Sequence, residues 1–196
     1  NVALKLAGEL GERARGLIAG VCGVSTPIDL AVCVRRMEEL RNRLYEVRFL
    51  RSLRRRMRVK YQCDPARFPL DGIDRVRSVR EFDDRFTAPA FGFRDAAEYY
   101  ETQSSIRFLD RVRVPVLLIQ AKDDPVVPFE PFTRSAVRAN PNIQLLATDY
   151  GGHVGFLSRG QPRFWSDAVI LNWMQTLLRE TRETRGNQQT RVPRRH

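Results

Sequence analysis

Three short apolar runs limit what this chain of 196 residues can fold into. They cover residues 17–25, 114–120 and 143–148. The first is rich in small residues and suits a strand buried on both faces, as in a parallel sheet. The other two lie between turn-forming residues, as strands of an α/β unit do. The sequence therefore predicts an α/β fold with a mostly parallel sheet flanked by helices.

Segments with helical periodicity alternate with these runs. The predicted helices are residues 2–10, 29–60, 131–139 and 164–181. This order indicates the C-terminal half of a parallel α/β sheet with a long helical insertion. The predicted division is a core of residues 1–28, a helical lid insertion of 29–105, a second core part of 106–181, and a disordered basic tail of 182–196.

The net charge of +11 comes almost entirely from arginine, since the only lysines are Lys5, Lys60 and Lys122. A coding bias would give the same excess, and neither zinc-finger spacing nor an aromatic-basic RNA-binding motif accompanies it, so no nucleic-acid partner is expected. Many arginines lie opposite the apolar stripe of segment 29–60. The simplest interpretation is a solvated face, and the alternative is a weak contact with an anionic membrane surface.

Cysteine count and hydropathy exclude several other classes. Three cysteines without a C-x-x-C pair favour neither a disulfide framework nor a zinc site. No run approaches the roughly 20 apolar residues of a membrane span, and residues 1–10 do not resemble a signal peptide. A cytoplasmic location is expected, with peripheral membrane association as the variant.

Two polar motifs each follow a predicted strand. Asp123-Asp124-Pro125 comes after residues 114–120, and Gly151-Gly152-His153 comes after residues 143–148. The carboxyl ends of parallel strands form the usual site of an open α/β sheet. A serine nucleophile needs a histidine to take its proton and a carboxylate to orient that histidine, and in α/β-hydrolases the chain order is serine, acid, histidine. The sequence supplies the second half of that order.

Neighbouring residues compete for both roles. Aligning the acid loop on Pro128 selects Asp124, while Asp123 would cap the turn or pair with Lys122. The alternative that both aspartates only form a turn stays open. Of the two histidines, His153 follows a strand and two glycines, whereas His196 ends the polar tail.

Several stretches resemble the YheT-like branch of the α/β-hydrolases, over roughly residues 1–178. The most specific are D-D-R-F-T-A-P at 83–89 and Tyr99-Tyr100; the others are 24–30, 119–125 and 151–156. The resemblance implies hydrolysis of carboxylic esters, of short or medium chain or lipid-like, through an acyl-serine. It implies no metal and no organic cofactor, Asp124 as the acid, His153 as the base, and segment 29–105 as a lid over the acyl pocket.

The nucleophile is where the chain departs from that family. The family's elbow reads G-x-S-L-G-G-N, and Asn1-Val2-Ala3-Leu4 matches only its end and the helix after it. The serine and one oxyanion-hole donor would precede Asn1. None of the candidate serines within the chain has elbow context: Ser25, Ser104, Ser105 and Ser158. We therefore expect a fragment of a serine esterase that is inactive alone, or alternatively a non-catalytic binding protein of the same fold. The edge of strand 17–25 would be uncovered, which predicts poor solubility.

Overall fold

The computed structural model describes residues 1–189, with side chains as far as Glu180. Its sheet has three parallel strands in the order β1 (Val21–Val24), β2 (Val116–Ala121) and β3 (Ile143–Thr148). In register, Val116 of β2 lies opposite Val21 on one side and Ile143 on the other. The predicted α/β class with a parallel sheet is confirmed.

The burial of strand β2 on both faces explains why its sequence is a continuous apolar run. All six of its residues are buried. Val116 and Leu118 join the cluster that contains Leu4, whereas Leu117 and Ile119 join the cluster that contains Phe156. Alternate side chains of a strand point to opposite faces, so helices on both faces exclude water from β2.

Strand β1 is shorter than predicted and lies at the edge. Residues 17–20 form a turn, because the N–H groups of Leu17 and Ile18 donate to the carbonyl of Ala14 instead of to a neighbouring strand. On the side away from β2, no strand of the described residues pairs with β1.

Eight α-helices accompany the sheet within residues 1–189. They are α1 (Val2–Leu10), α2 (Leu30–Met37), α3 (Arg43–Cys63), α4 (Val79–Phe82), α5 (Ala88–Ala90), α6 (Ala96–Gln103), α7 (Ser135–Arg138) and α8 (Trp165–Gln189). A π-helical turn, Asp83–Thr87, connects α4 to α5. None of the helices in this range is both long and apolar enough to cross a membrane.

The single helix predicted over residues 29–60 is wrong. The segment forms α2 and α3, separated by a 3₁₀ turn at Leu40–Asn42. The buried side-chain amide of Asn42 donates to the carbonyl of Arg36 at 2.7 Å and to the carbonyl of Pro125 at 2.8 Å. These bonds hold the chain where it turns between the two helices. An apolar periodicity that continues across the break conceals it from the sequence.

Two further predicted helices have different bounds. The crossover expected at 131–139 is a 3₁₀ turn, Glu130–Thr133, followed by the short α7, because Arg134 between them adopts an extended conformation. Helix α8 continues past the predicted boundary at 181 as far as Gln189. Residues 190–196 of the predicted disordered tail lie outside the described residues.

The segment between β1 and β2 has an apolar core of its own. Met37, Leu50 and Phe82 belong to this cluster, which α2, α3, α4 and α6 build together. Val126, next to the acid loop's Pro125, packs against both this cluster and the main core. The helical insertion therefore rests directly on the loop that follows β2.

Candidate active site

Asp124 lies in the loop that leaves the carboxyl end of β2. Its side chain is 0% exposed. The backbone N–H groups of Val126 and Val127 donate to Oδ1 at 2.8 and 2.9 Å, and the side-chain amide of Gln120 donates to Oδ2 at 3.2 Å. Its own loop thus folds around the carboxylate, and the side chain has one fixed orientation.

His153 is a further hydrogen-bond partner of this carboxylate. Its Nδ1 lies 3.0 Å from Oδ2 of Asp124, and its side chain is 36% exposed. Because an ionised carboxylate can only accept hydrogen bonds, Nδ1 carries the proton and Nε2 is left as a proton acceptor. The structure brings together the two residues selected from the sequence, Asp124 and His153, in the arrangement that orients a general base.

Opposing influences act on the pKa of Asp124. Burial alone raises the pKa of the carboxyl. The hydrogen bonds from His153 and from the N–H groups of Val127 and Val126 outweigh burial, and the pKa lies below its ordinary value. The carboxylate is therefore ionised at neutral pH and can stabilise a positive charge on the imidazole.

The loop after β3 presents His153 through an unusual backbone. Gly152 has φ +56°, a conformation that favours glycine, and Val154 adopts φ +57° without that freedom. A Cβ on Gly151 would lie 2.8 Å from the ring of Phe156, which is buried against Trp165. The two glycines before the histidine thus have separate reasons: one allows a close approach and the other a left-handed turn.

Asp123 does not pair with Lys122. Lys122 instead forms an ion pair with Asp149 at 2.6 Å. Oδ1 of Asp123 accepts the N–H of Gly152 at 2.8 Å and so ties the loop after β2 to the loop after β3. Each aspartate also accepts a hydrogen bond from the histidine loop, in addition to any role in its own turn.

Ser25 forms a contact with the histidine loop that the sequence did not predict. It follows β1 directly, and its Oγ accepts the N–H of Val154 at 3.2 Å. The sequence offered no signal for this bond, because the two residues are far apart in the chain and meet only when β1 and β3 flank β2. Gln120, which holds Asp124, was missed for a different reason: it reads as part of an apolar strand.

None of the other candidate serines bonds to His153: the buried Oγ of Ser105 has no hydrogen-bond partner within residues 1–180, and Ser104 and Ser158 bond elsewhere. Ser104 donates to the carbonyl of Tyr100 and accepts the N–H of Leu30, and Ser158 accepts the N–H of Gly160. Within residues 1–180, where side chains are described, the ring of His153 has Asp124 as its hydrogen-bond partner and no serine hydroxyl.

In the same range no group of three or more histidine, cysteine, aspartate or glutamate side chains could hold a metal ion. Burial, with smaller contributions from Asp29 and Asp124, raises the pKa of the Cys33 thiol to about 12, so it stays protonated.

Comparison with known proteins assigns the family. No protein-family model matches the chain. The chain is 33% identical over 159 residues to YheT of Escherichia coli (strain K12), whose name places it among the esterases; the match covers 79% of this chain and 46% of that protein. The chain belongs to the YheT-like family of α/β-hydrolases. The resemblance stated from the sequence motifs is therefore confirmed.

Other relatives of this family match shorter parts of the chain. Medium-chain fatty acid ethyl ester synthase/esterase 2 of Saccharomyces cerevisiae is 46% identical over 94 residues, which are 47% of this chain and 20% of the yeast protein. Phospholipase ABHD3 of Mus musculus is 38% identical over 116 residues, which are 58% of this chain and 28% of that enzyme. The chain thus spans less than half the length of each of these relatives.

Proposed function

We propose that this chain supplies the acid and the base of a serine-dependent carboxylic-ester hydrolase. The observation that supports the proposal is the hydrogen bond of 3.0 Å between Asp124 and His153, which join from the carboxyl ends of two adjacent parallel strands. The Nε2 atom is free to take a proton, while Nδ1 is bound to a buried, ionised carboxylate. This is the half of a catalytic triad that activates a serine.

In the proposed reaction, Nε2 of His153 takes the proton of a serine hydroxyl as the serine oxygen attacks the ester carbonyl. The imidazolium gives that proton to the departing alcohol, and an acyl-serine remains. A water molecule, deprotonated in turn by His153, then attacks the acyl carbonyl. The bond between the acyl group and the serine oxygen breaks, the serine oxygen takes the proton back from His153, and the carboxylic acid leaves. Asp124 keeps the ring in place and stabilises its positive charge in both halves of the reaction.

The nucleophile is proposed to come from a segment preceding Asn1. The support is twofold: the start of the chain matches the residues that follow the family's elbow, and no serine within residues 1–180 bonds to His153. The isolated 196-residue chain should consequently show no turnover, and the alternative of a non-catalytic binding protein predicts the same. Extending the chain upstream separates the two.

The experiment compares two proteins on p-nitrophenyl butyrate. One is the chain itself, and the other adds the codons that precede Asn1 in its gene. We expect hydrolysis only by the longer protein, lost on His153→Ala and kept in the matched control His196→Ala. Turnover by the short chain that His153→Ala removes would contradict the missing nucleophile. Upstream codons without G-x-S-x-G, or an inactive longer protein that carries the motif, would contradict the hydrolase.

The substrates proposed are short- or medium-chain esters or lipid-like esters. The names of the relatives support this range, since they include a medium-chain ester esterase and a phospholipase. The insertion of residues 29–105 is proposed as a lid over the acyl pocket, supported by its packing on Val126 beside the acid loop.

A contact between α3 and an anionic lipid surface is also proposed. Large apolar side chains on α3 are exposed, with Leu44 at 84% and Val59 at 54%. Four arginines on the same helix have neither an ion pair nor a side-chain hydrogen bond within residues 1–180: Arg48, Arg51, Arg55 and Arg56. Basic side chains interleaved with exposed apolar ones suit the interface of a membrane that carries negative charge.

Vesicle sedimentation tests this contact. We expect the chain to sediment with vesicles of phosphatidylglycerol and phosphatidylcholine, but not with phosphatidylcholine alone. The change Arg55→Gln/Arg56→Gln should weaken binding, at about 1 kcal/mol per arginine. The matched control Arg13→Gln/Arg138→Gln removes the same charge from residues outside α3. Equal losses from both pairs would show a general charge effect and contradict a specific role of α3.

A further inference from the structure

Two side chains from outside the loop hold the backbone on either side of His153. The N–H of Gly152, just before the histidine, donates to Oδ1 of Asp123 at 2.8 Å. The N–H of Val154, just after it, donates to Oγ of Ser25 at 3.2 Å. One acceptor follows β2 and the other follows β1, so all three strand ends meet at the histidine.

The loop needs such support because its conformation is unfavourable on its own. Val154 has φ +57°, and a β-branched residue rarely adopts this left-handed region. The side chain of His153 is 36% exposed, so packing restrains only part of the ring. With limited packing, the direction of the Cα–Cβ bond depends on the backbone, and the two flanking hydrogen bonds fix that backbone.

Ser25 is itself held in a strained position for this contact. It has φ +47° and is 3% exposed, while its own N–H donates to the carbonyl of Ile119 on β2 at 2.9 Å. A buried non-glycine residue in this conformation marks a site where the surroundings impose the geometry. Here the imposed geometry directs the hydroxyl towards the histidine loop.

We propose that Ser25 and Asp123 are positioning residues that set the ring of His153 against Asp124. Ser25 binds the residue after the histidine and Asp123 the residue before it, and within residues 1–180 neither forms a hydrogen bond with the ring. The proposal rests on the proposed function for its catalytic meaning, but the positioning itself is measurable in the 196-residue chain, which needs no nucleophile for this purpose.

Nuclear magnetic resonance of the ¹⁵N-labelled chain provides the test. His153 in the unmodified chain should show the Nδ1–H tautomer, and the amide of Val154 should be protected from hydrogen exchange. In Ser25→Ala we expect that amide to exchange about fivefold to tenfold faster, as for the loss of one hydrogen bond, and the ring to become a mixture of tautomers. Asp123→Ala should likewise speed the exchange of the Gly152 amide and mix the tautomers of His153. Asp123→Asn keeps an acceptor oxygen and should therefore restore the slow exchange and the single tautomer.

The controls separate positioning from general damage. Ser158→Ala removes a hydroxyl from the same loop without touching a neighbour of His153, and should leave its ring unchanged. Ser25→Gly removes the hydroxyl and relieves the strain at φ +47°, so it tests the proposal even if Ser25→Ala fails to fold. An unchanged tautomer and unchanged Val154 exchange in Ser25→Gly would overturn the proposal.

The longer protein gives a second readout. Ser25→Gly should lower kcat about tenfold or more and leave KM nearly unchanged, because binding surfaces are untouched. If that protein is inactive in every form, the proposed function fails while the resonance result still decides the positioning. If it is active and Ser25→Gly has full kcat, the positioning role fails and the proposed function stands. Ester turnover by the short chain that requires Ser25 would make Ser25 a nucleophile and overturn the proposal.

Discussion

Replacing Asp124 by alanine should destabilise the chain severely, even though the residue is proposed to act in catalysis. The carboxylate accepts from the N–H groups of Val126 and Val127 and from the ring of His153. Gln120 is less affected, because its amide also donates to the carbonyls of Ala121 and Val127. Hydrogen bonds to a charged group contribute about 1.5–3 kcal/mol each, so loss of the two backbone bonds alone predicts a cost of about 3–6 kcal/mol for Asp124→Ala. The bond to the partly exposed His153 adds a smaller share.

Asp124→Asn should cost less, about 1–2 kcal/mol, because Oδ1 can still accept the two backbone bonds while the amide replaces the charged acceptor at His153. Urea unfolding of the 196-residue chain, followed by circular dichroism, measures both values. Asp123→Ala is the matched control, since it removes a single bond to Gly152 and should cost about 1 kcal/mol. A loss below about 1 kcal/mol in Asp124→Ala would refute the reasoning that the loop folds around this carboxylate.

Three further changes have effects that follow from the same contacts. Because the pKa of Asp124 is lowered, its ionised form stabilises the fold above the ordinary pKa of about 3.9, and this contribution is lost as the pH falls through the lowered pKa. The difference in unfolding free energy between the unmodified chain and Asp124→Asn should therefore shrink below about pH 4. A difference that stays constant with pH would contradict this prediction. Asn42→Ala leaves the carbonyl of Pro125 unpaired and removes one of the hydrogen bonds to the carbonyl of Arg36, so it should cost about 1–3 kcal/mol in urea unfolding. A neutral result would show that the turn between α2 and α3 does not depend on Asn42. Gly151→Ala places a methyl group 2.8 Å from the ring of Phe156 and should cost about 1–3 kcal/mol by thermal unfolding; Gly160→Ala, where the nearest atom is 3.8 Å away, is the control, and equal shifts in Tm would reject the steric explanation.

Local patterns were enough to predict that Asp124 and His153 lie at the same edge of the sheet, because each follows a strand that its own sequence defines. A parallel sheet places the carboxyl ends of its strands at one edge, so two separate local signals became one spatial prediction. This reasoning does not predict the order of the strands in the sheet. The edge position of β1 was predicted only because the resemblance implies that the earlier strands of the fold would precede Asn1.

The features that escaped prediction depend on contacts between distant segments. The hydroxyl of Ser25 and the amide of Asn42 both bond to loops far away in the chain. Neither residue lies in a motif that predicts its hydrogen-bond partner. Asn42 also interrupts a helix whose apolar spacing continues on both sides, so periodicity alone predicts one helix where a buried amide makes two.

The division of roles between Asp123 and Asp124 falls between these cases. The alignment on Pro128 chose the residue that contacts His153, but turn chemistry alone allowed either aspartate. Asp124 accepts its own loop's N–H groups, which orients it inwards, whereas Asp123 reaches across to Gly152. The choice between them is therefore set by the loop geometry after β2, which one sequence without relatives does not determine.

Labelling with a fluorophosphonate tests the central claim most directly, because this reagent reacts only with a serine that a neighbouring base activates. The reaction is carried out on the protein extended by the codons that precede Asn1, and the modified peptide is located by mass spectrometry. We expect one modified serine, within a G-x-S-x-G sequence upstream of Asn1, and loss of the label on His153→Ala. A label that survives His153→Ala, or that lies on Ser25, would contradict it.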